Sequence, residues 1–222
     1  YHSKKNKYPY TADNIIIGPG SKELIFQTQL IMDGDLLLPS PSWVSYEPQA
    51  NIINKKIHWL NTTAKTNWHL SPQTLDELCK KLKIETKLLI LNSPNNPSGT
   101  IHGDLKTLAK VSKKHDIIII ADEIYAELDF TGEYKSLTHY YPEGTIISSG
   151  LSKWCGAGGW RLGTFIFPNE LDHIRQTLRS VVSETFTAVS APIQYAAIKA
   201  YTEDYSNYLD HSRKILNCIT TF

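Results

Sequence analysis

The sequence has no long apolar run. Its longest, Ile117-Ile118-Ile119-Ile120-Ala121, is far short of the ~18 residues that a membrane-spanning helix needs. An excess of charge of one sign is also missing: 23 basic and 22 acidic residues leave a formal net charge of +1. That balance excludes a polybasic nucleic-acid binder and an acidic solvating tail. Cysteine is scarce, with only Cys79, Cys155 and Cys218 and no CxxC pair, which fits a reducing compartment such as the cytoplasm better than a disulfide framework. Several chemical signatures fail as well. No Gly-Lys pair exists to form a P-loop, and the third glycine of a dinucleotide fingerprint starting at Gly18 falls on Glu23. The histidines never form HExxH and the cysteines are not spaced as zinc ligands, so no metal site is expected. GxSxG and Ser-x-x-Lys, the local signs of a serine acyl-enzyme, are absent too.

What remains is a folding sequence of 222 residues, 41% hydrophobic and 10% aromatic, long enough to bury roughly 70% of its unfolded surface. Short runs of Ile, Leu and Val alternate with longer segments of helical spacing, the pattern of βαβ units and a mostly parallel, buried sheet. Strands are expected at 14–17, 35–38, 87–91, 117–121, 145–148 and 163–167. Several are apolar at every position, as strands covered on both faces are. Helices are expected at 21–32, 71–82 and 103–115, and the stretch from Glu170 onward reads as helical almost throughout. The second opens with Ser71 as N-cap and Pro72 at the first helical position. With no repeat, low-complexity stretch or Gly/Ser linker, residues 1–222 read as one α/β domain of three layers, α/β/α.

Four places carry polar residues at the carboxyl ends of buried strands, where open α/β sheets bind ligands. Gly18-Pro19-Gly20-Ser21-Lys22 is a tight turn feeding a helix; its free N–H groups suit a phosphate, although a plain strand-to-helix turn has the same form. Asn92-Ser93-Pro94-Asn95-Asn96-Pro97-Ser98-Gly99 reads by itself as a rigid surface turn. Asp122, directly after the isoleucine strand, is a carboxylate whose burial is costly unless a cation faces it; capping and ligand binding both explain it. The run from Ser148 to Arg161 sets one lysine and one arginine among Gly, Trp and small residues. That surrounding suggests a confined lysine, and a confined lysine loses its proton readily and becomes an amine nucleophile.

In this order the four loops, carried by 18–194, resemble the pyridoxal-phosphate enzymes of fold type I, and specifically the class I/II aminotransferases related to aspartate aminotransferase. The resemblance implies the large cofactor domain of such an enzyme, binding pyridoxal 5'-phosphate and moving an amino group from an amino acid to a 2-oxo acid. It makes Lys153 the Schiff-base and proton-shuttling lysine, and Asp122 the partner of the protonated pyridine nitrogen. Asn96 and Tyr125 then bond the phenolic oxygen, Trp43 stacks on the ring, and Gly20, Ser21 and Lys22 cradle the phosphate through backbone N–H groups. Arg161 grips the phosphate; the family's further phosphate-binding serine falls on Gly150 here, and Ser149 or Ser152 is the candidate to replace it, with Ser152 preferred.

The chain departs from the family pattern at Gly150, where many members carry a phosphate-binding serine, and 182–191 holds no arginine of the dicarboxylate-specific type. An aspartate-like substrate is therefore not expected. The family's N-terminal segment and small C-terminal domain, with its carboxylate-binding arginine, are expected to lie outside the chain. By the same resemblance the protein is expected to be a homodimer, free of membrane and nucleic acid. A pyridoxal-phosphate C-S lyase and the aminotransferase-like sensor domain of a transcription regulator share these motifs and stand as alternatives.

Overall fold

The computed structural model describes residues 1–6, 8–82 and 84–221. Seven strands form one sheet: β1 (Ile15–Gly18), β2 (Asp35–Ser40), β3 (Ile57–Asn61), β4 (Lys87–Asn92), β5 (Ile117–Asp122), β6 (Thr145–Gly150) and β7 (Gly163–Ile166). Their order is β1-β7-β6-β5-β4-β2-β3. Only β7 runs against its neighbours; the pairs from β6 across to β3 are parallel. Eight α-helices accompany them among the described residues: α1 (His2–Asn6), α2 (Ser21–Ile31), α3 (Tyr46–Ile52), α4 (Pro72–Lys81), α5 (Leu105–Lys114), α6 (Asp172–Glu184), α7 (Ala191–Thr202) and α8 (Ser206–Thr220).

The two-residue period of the strands sorts the core into two layers. Leu36, Leu38, Leu88, Ile90 and Ile120 pack beneath α2, α3 and α6, whereas Leu37, Leu89, Leu91 and Ile119 face α4 and α5. Continuous apolar runs thus mark strands buried on both sides, and the architecture is the expected three-layer α/β/α. A third cluster joins Leu151, Trp154 and Leu162 to α7. Packing under the first strand is close: a Cβ on Gly18 would sit 2.7 Å from Leu24 Cδ2.

All six expected strands form, with ends shifted by one or two residues. β1 starts at Ile15 because Asn14 belongs to a short 3-10 turn, where its side chain donates to Asn169 Oδ1 at 2.8 Å. β2 runs on through Pro39 to Ser40, and β6 to Gly150. The cap of α4 behaves as the sequence implies, with Ser71 accepting from Thr74 N and Pro72 opening the helix; at the head of α5 the structure adds Asp104, which accepts from Thr107 N. Three labelled elements were not expected: the short helix α1, β3 and α3. β3 is an edge strand in which only Leu60 is buried, so it carries no apolar run. α3 contains Pro48, which reads as a breaker, yet it sits in the first turn, where no N–H is needed. Phe222, the last residue of the helical tail, lies outside the described residues. Among the described residues no helix is long and apolar enough to cross a membrane.

Leu24 is fully buried between α2 and the sheet. Leu24→Ala should lower the unfolding free energy by about 2–5 kcal/mol, read as a reduced urea midpoint at unchanged m-value; an unchanged midpoint would contradict this packing.

Candidate active site

Parallel registration brings three strand ends into one row. Asn92 of β4 pairs with Asp122 of β5, and Asp122 with Ser148 of β6. Asp122 is 3% exposed, and its carboxylate collects three donors. Tyr46 OH donates to Oδ2 at 2.6 Å, Ser148 Oγ to Oδ1 at 3.2 Å, and Ile124 N to Oδ1 at 3.4 Å. Burial raises the Asp122 pKa; the Tyr46 and Ser148 hydroxyls, the Ile124 N–H and the Lys153 charge oppose the rise. Its neighbour Glu123 is also buried and raised by burial, but is engaged by Ser136 instead.

The 92–99 loop is tied to this row at its base. Asn92 Nδ2 donates to the Asp122 carbonyl at 2.9 Å, and Asn96 N donates to Asn92 Oδ1 at 2.7 Å. Asn96 Nδ2 then donates to Tyr125 OH at 3.3 Å. A surface turn has become a rigid arm that holds one amide beside one phenol.

On the other side, α2 begins at Gly20, whose φ of +93° suits glycine and which offers no side chain to cap the first-turn N–H groups. Those groups remain available to an anion. Arg161 lies directly over the turn: its Nη2 donates to the Pro19 carbonyl at 3.2 Å and its Nη1 to that of Gly158 at 2.8 Å. A Cβ on Gly20 would fall 2.2 Å from Arg161 Nη2, and one on Gly163 would fall 2.1 Å from Ser21 N. Both glycines therefore permit the close approach that forms the cradle. Gly150 has a similar reason: a side chain there would meet the Leu162 carbonyl oxygen at 2.6 Å, so this backbone leaves no room for a serine.

These parts enclose a cavity of about 160 Å³. Every residue singled out from the sequence lines it except Gly20, which forms its edge through Arg161. Trp43 borders it, with the Lys22 ammonium over the indole ring, its Nζ 4.9 Å from the ring centre. Ser152 and Lys153 come from the loop after β6. One expectation is corrected: Lys153 is exposed rather than confined. The adjacent Trp154 turns inward and is 5% exposed, which leaves Lys153 at the cavity mouth, its Nζ 5.4 Å from the centre of the Tyr125 ring.

The sequence reading missed Tyr46, Asn92 and Ser148 as parts of the site. Asn92 and Ser148 had a signal, since Asn92 ends a buried strand and Ser148 lies two residues before the end of another. Tyr46 had none beyond its place three residues after Trp43, because its partner is 76 residues away. Among the described residues no group of three or more His, Cys, Asp or Glu is arranged to hold a metal ion.

Comparison with known proteins agrees with this geometry. The profile of the family "Aminotransferase class I and II" matches residues 1–218. An aspartate aminotransferase of Bacillus sp. YM-2 is 31% identical over 207 residues, covering 89% of this chain and 51% of its own length. The aspartate/prephenate aminotransferase of Thermus thermophilus is 30% identical over 90% of this chain and 51% of its own. The solved aspartate aminotransferase of Thermotoga maritima superposes with a TM-score of 0.88 at 28% identity, over 99% of this chain and 59% of that one. The chain spans about half the length of the curated relatives it matches. With nearly its full length matched and its strand-end loops assembled into one cavity, the chain belongs to the class I and II aminotransferase family.

Proposed function

We propose that this chain is the cofactor-binding part of a pyridoxal 5'-phosphate-dependent aminotransferase, which moves an amino group from an amino acid to a 2-oxo acid. One observation carries the reading: a buried carboxylate, an exposed primary amine and an uncapped helix start beside a guanidinium all face one cavity. Pyridoxal phosphate offers a complement to each, a basic ring nitrogen, an aldehyde and a phosphate. The names of the relatives, all transaminases, favour transfer over elimination. Those names include aspartate and prephenate, so the absence of an arginine at 182–191 does not by itself decide the substrate.

In this reading the Asp122 carboxylate holds the ring nitrogen as its cation, Asn96 and Tyr125 hydrogen-bond the phenolic oxygen, and Trp43 covers the ring face. The N–H groups of Ser21 and Lys22 bind the phosphate together with Arg161, and Ser152 adds a hydroxyl; the Gly20 N–H, expected to join them, is donated to the Gly18 carbonyl at 2.7 Å instead. The cofactor, once bound, supplies an electron sink for the charge left when the substrate α-proton departs. Lys153 would supply the rest: its amine would hold the cofactor and, once free, would carry the substrate α-proton as a positioned base. Its place at the mouth lets the amine swing between these tasks. Three free cysteines favour a reducing, cytoplasmic location, and the rim of exposed Val44, Trp160 and Lys153 supports a second copy of the chain closing the site.

Two outcomes are expected. Borohydride reduction of the pyridoxal phosphate-loaded protein should fix the label on Lys153, and Lys153→Ala should lose at least ~10²–10⁴-fold in transamination; a label on another lysine would overturn the assignment. Asp122→Asn should weaken cofactor binding yet stabilise the cofactor-free protein at pH 8. The folded Asp122 pKa is raised by burial, so its favourable contribution is complete below the unfolded value and is lost as pH rises through the folded one. The thermal midpoint of Asp122→Asn should therefore exceed that of the wild type at pH 8, by a margin that closes toward pH 4; a constant margin would refute the titration.

A further inference from the structure

The Tyr46–Asp122 contact is the shortest that the Asp122 carboxylate makes, 2.6 Å against 3.2 Å from Ser148 and 3.4 Å from the Ile124 N–H. Tyr46 is 1% exposed, and its ring is fixed from two directions: it meets Trp43 edge to face at 5.3 Å and packs in the core with Leu24 and Ala50. A phenol held this way can neither rotate to another acceptor nor reach bulk water. It also comes from a different layer than its partner. Tyr46 begins α3, whereas Asp122 ends β5, so the bond ties the helix carrying the Trp43 segment to the floor of the cavity.

We propose that Tyr46 is a positioning residue for the reaction: its hydroxyl orients Asp122 Oδ2 and keeps the carboxylate an anion, so that the shared proton resides on the cofactor's ring nitrogen rather than on Asp122. This rests on the reading of the cavity as a pyridoxal phosphate site. The charged and titratable groups around Asp122 define the competition. Lys153 across the cavity favours the anion, Glu123 next along the chain opposes it, and the Tyr46 phenol, its pKa raised by burial, remains a neutral donor. Desolvation drives Asp122 toward its acid form, and the Tyr46 hydroxyl is the largest single influence against it. Removing that donor leaves a buried oxygen short of a charge-assisted bond, which raises the proton affinity of Asp122 and draws the ring proton toward it.

The test is the nitrogen NMR signal of 15N-ring-labelled pyridoxal phosphate bound to the wild-type protein, to Tyr46→Phe and to Ser148→Ala, with cofactor affinity measured alongside. The wild type should show a protonated ring nitrogen. Tyr46→Phe keeps the ring and its packing; its signal should move toward the unprotonated value and its cofactor affinity should fall roughly tenfold. Ser148→Ala, which removes the longer contact, should shift both less. In a second arm that spares the core, 3-fluorotyrosine at position 46, a stronger donor, should hold the ring protonated with affinity equal to or above wild type. An unmoved signal with affinity within twofold in Tyr46→Phe, or a loss of protonation with 3-fluorotyrosine, would overturn the proposal. If the wild type itself shows no bound, protonated cofactor, the cofactor reading falls and this inference with it.

Discussion

A carboxylate at the end of an apolar strand is the constraint around which the site is arranged. Burying an ion without partners costs several kcal/mol or more, and Asp122 is almost wholly removed from water. Parallel pairing makes the position unavoidable, since Asn92, Asp122 and Ser148 stand level with one another across β4, β5 and β6, near the carboxyl ends of the strands. The fold answers with hydroxyl donors from a helix and a neighbouring strand and with one open side. That open side is where a cation fits. A sheet with its strands out of step would scatter the same residues and leave no floor.

The cavity is polar in a second sense: it has two poles. Negative charge sits at the interior end, where Asp122 is buried, and positive potential sits at the rim, where the first turn of α2 points its N–H groups beside Arg161. A ligand with a basic ring nitrogen at one end and a dianion at the other has a single favourable orientation in such a field. Orientation is therefore decided by electrostatics before any side chain chooses between hydrogen-bond partners. Trp43 and the hydrogen-bonded Asn96–Tyr125 pair line the cavity between those poles.

The elements with strong periodicity were readable from the sequence because burial on both faces leaves an unbroken apolar signature, as in Ile117 to Ala121 and Leu88 to Leu91. β3 was not, because an edge strand needs little apolar area, and α3 was not, because proline in a first turn looks the same in sequence as proline in a loop. The site residues at strand ends were legible through their position. Lys153 does line the cavity, but the confinement inferred from its neighbours belongs to Trp154. Tyr46 was invisible because its role depends on a partner in a different layer, and one-dimensional spacing carries no information about that meeting.

The loop that bears Lys153 and Arg161 has a mechanical property of its own. It leaves β6 at Gly150 and enters β7 at Gly163, and these two residues face each other as the last pair of an antiparallel ladder, with Leu151 N donating to the Leu162 carbonyl at 3.2 Å just beyond. The segment is thus a closed ring clamped at its base. The amine and the guanidinium ride on the same ring, so the distance between the two cationic groups is set by local chain length and not by how separate parts of the protein happen to dock. Inserting or deleting a residue there would retune that span without disturbing the sheet, which makes the ring a place where the spacing of Lys153 and Arg161 can drift while the fold stays as it is.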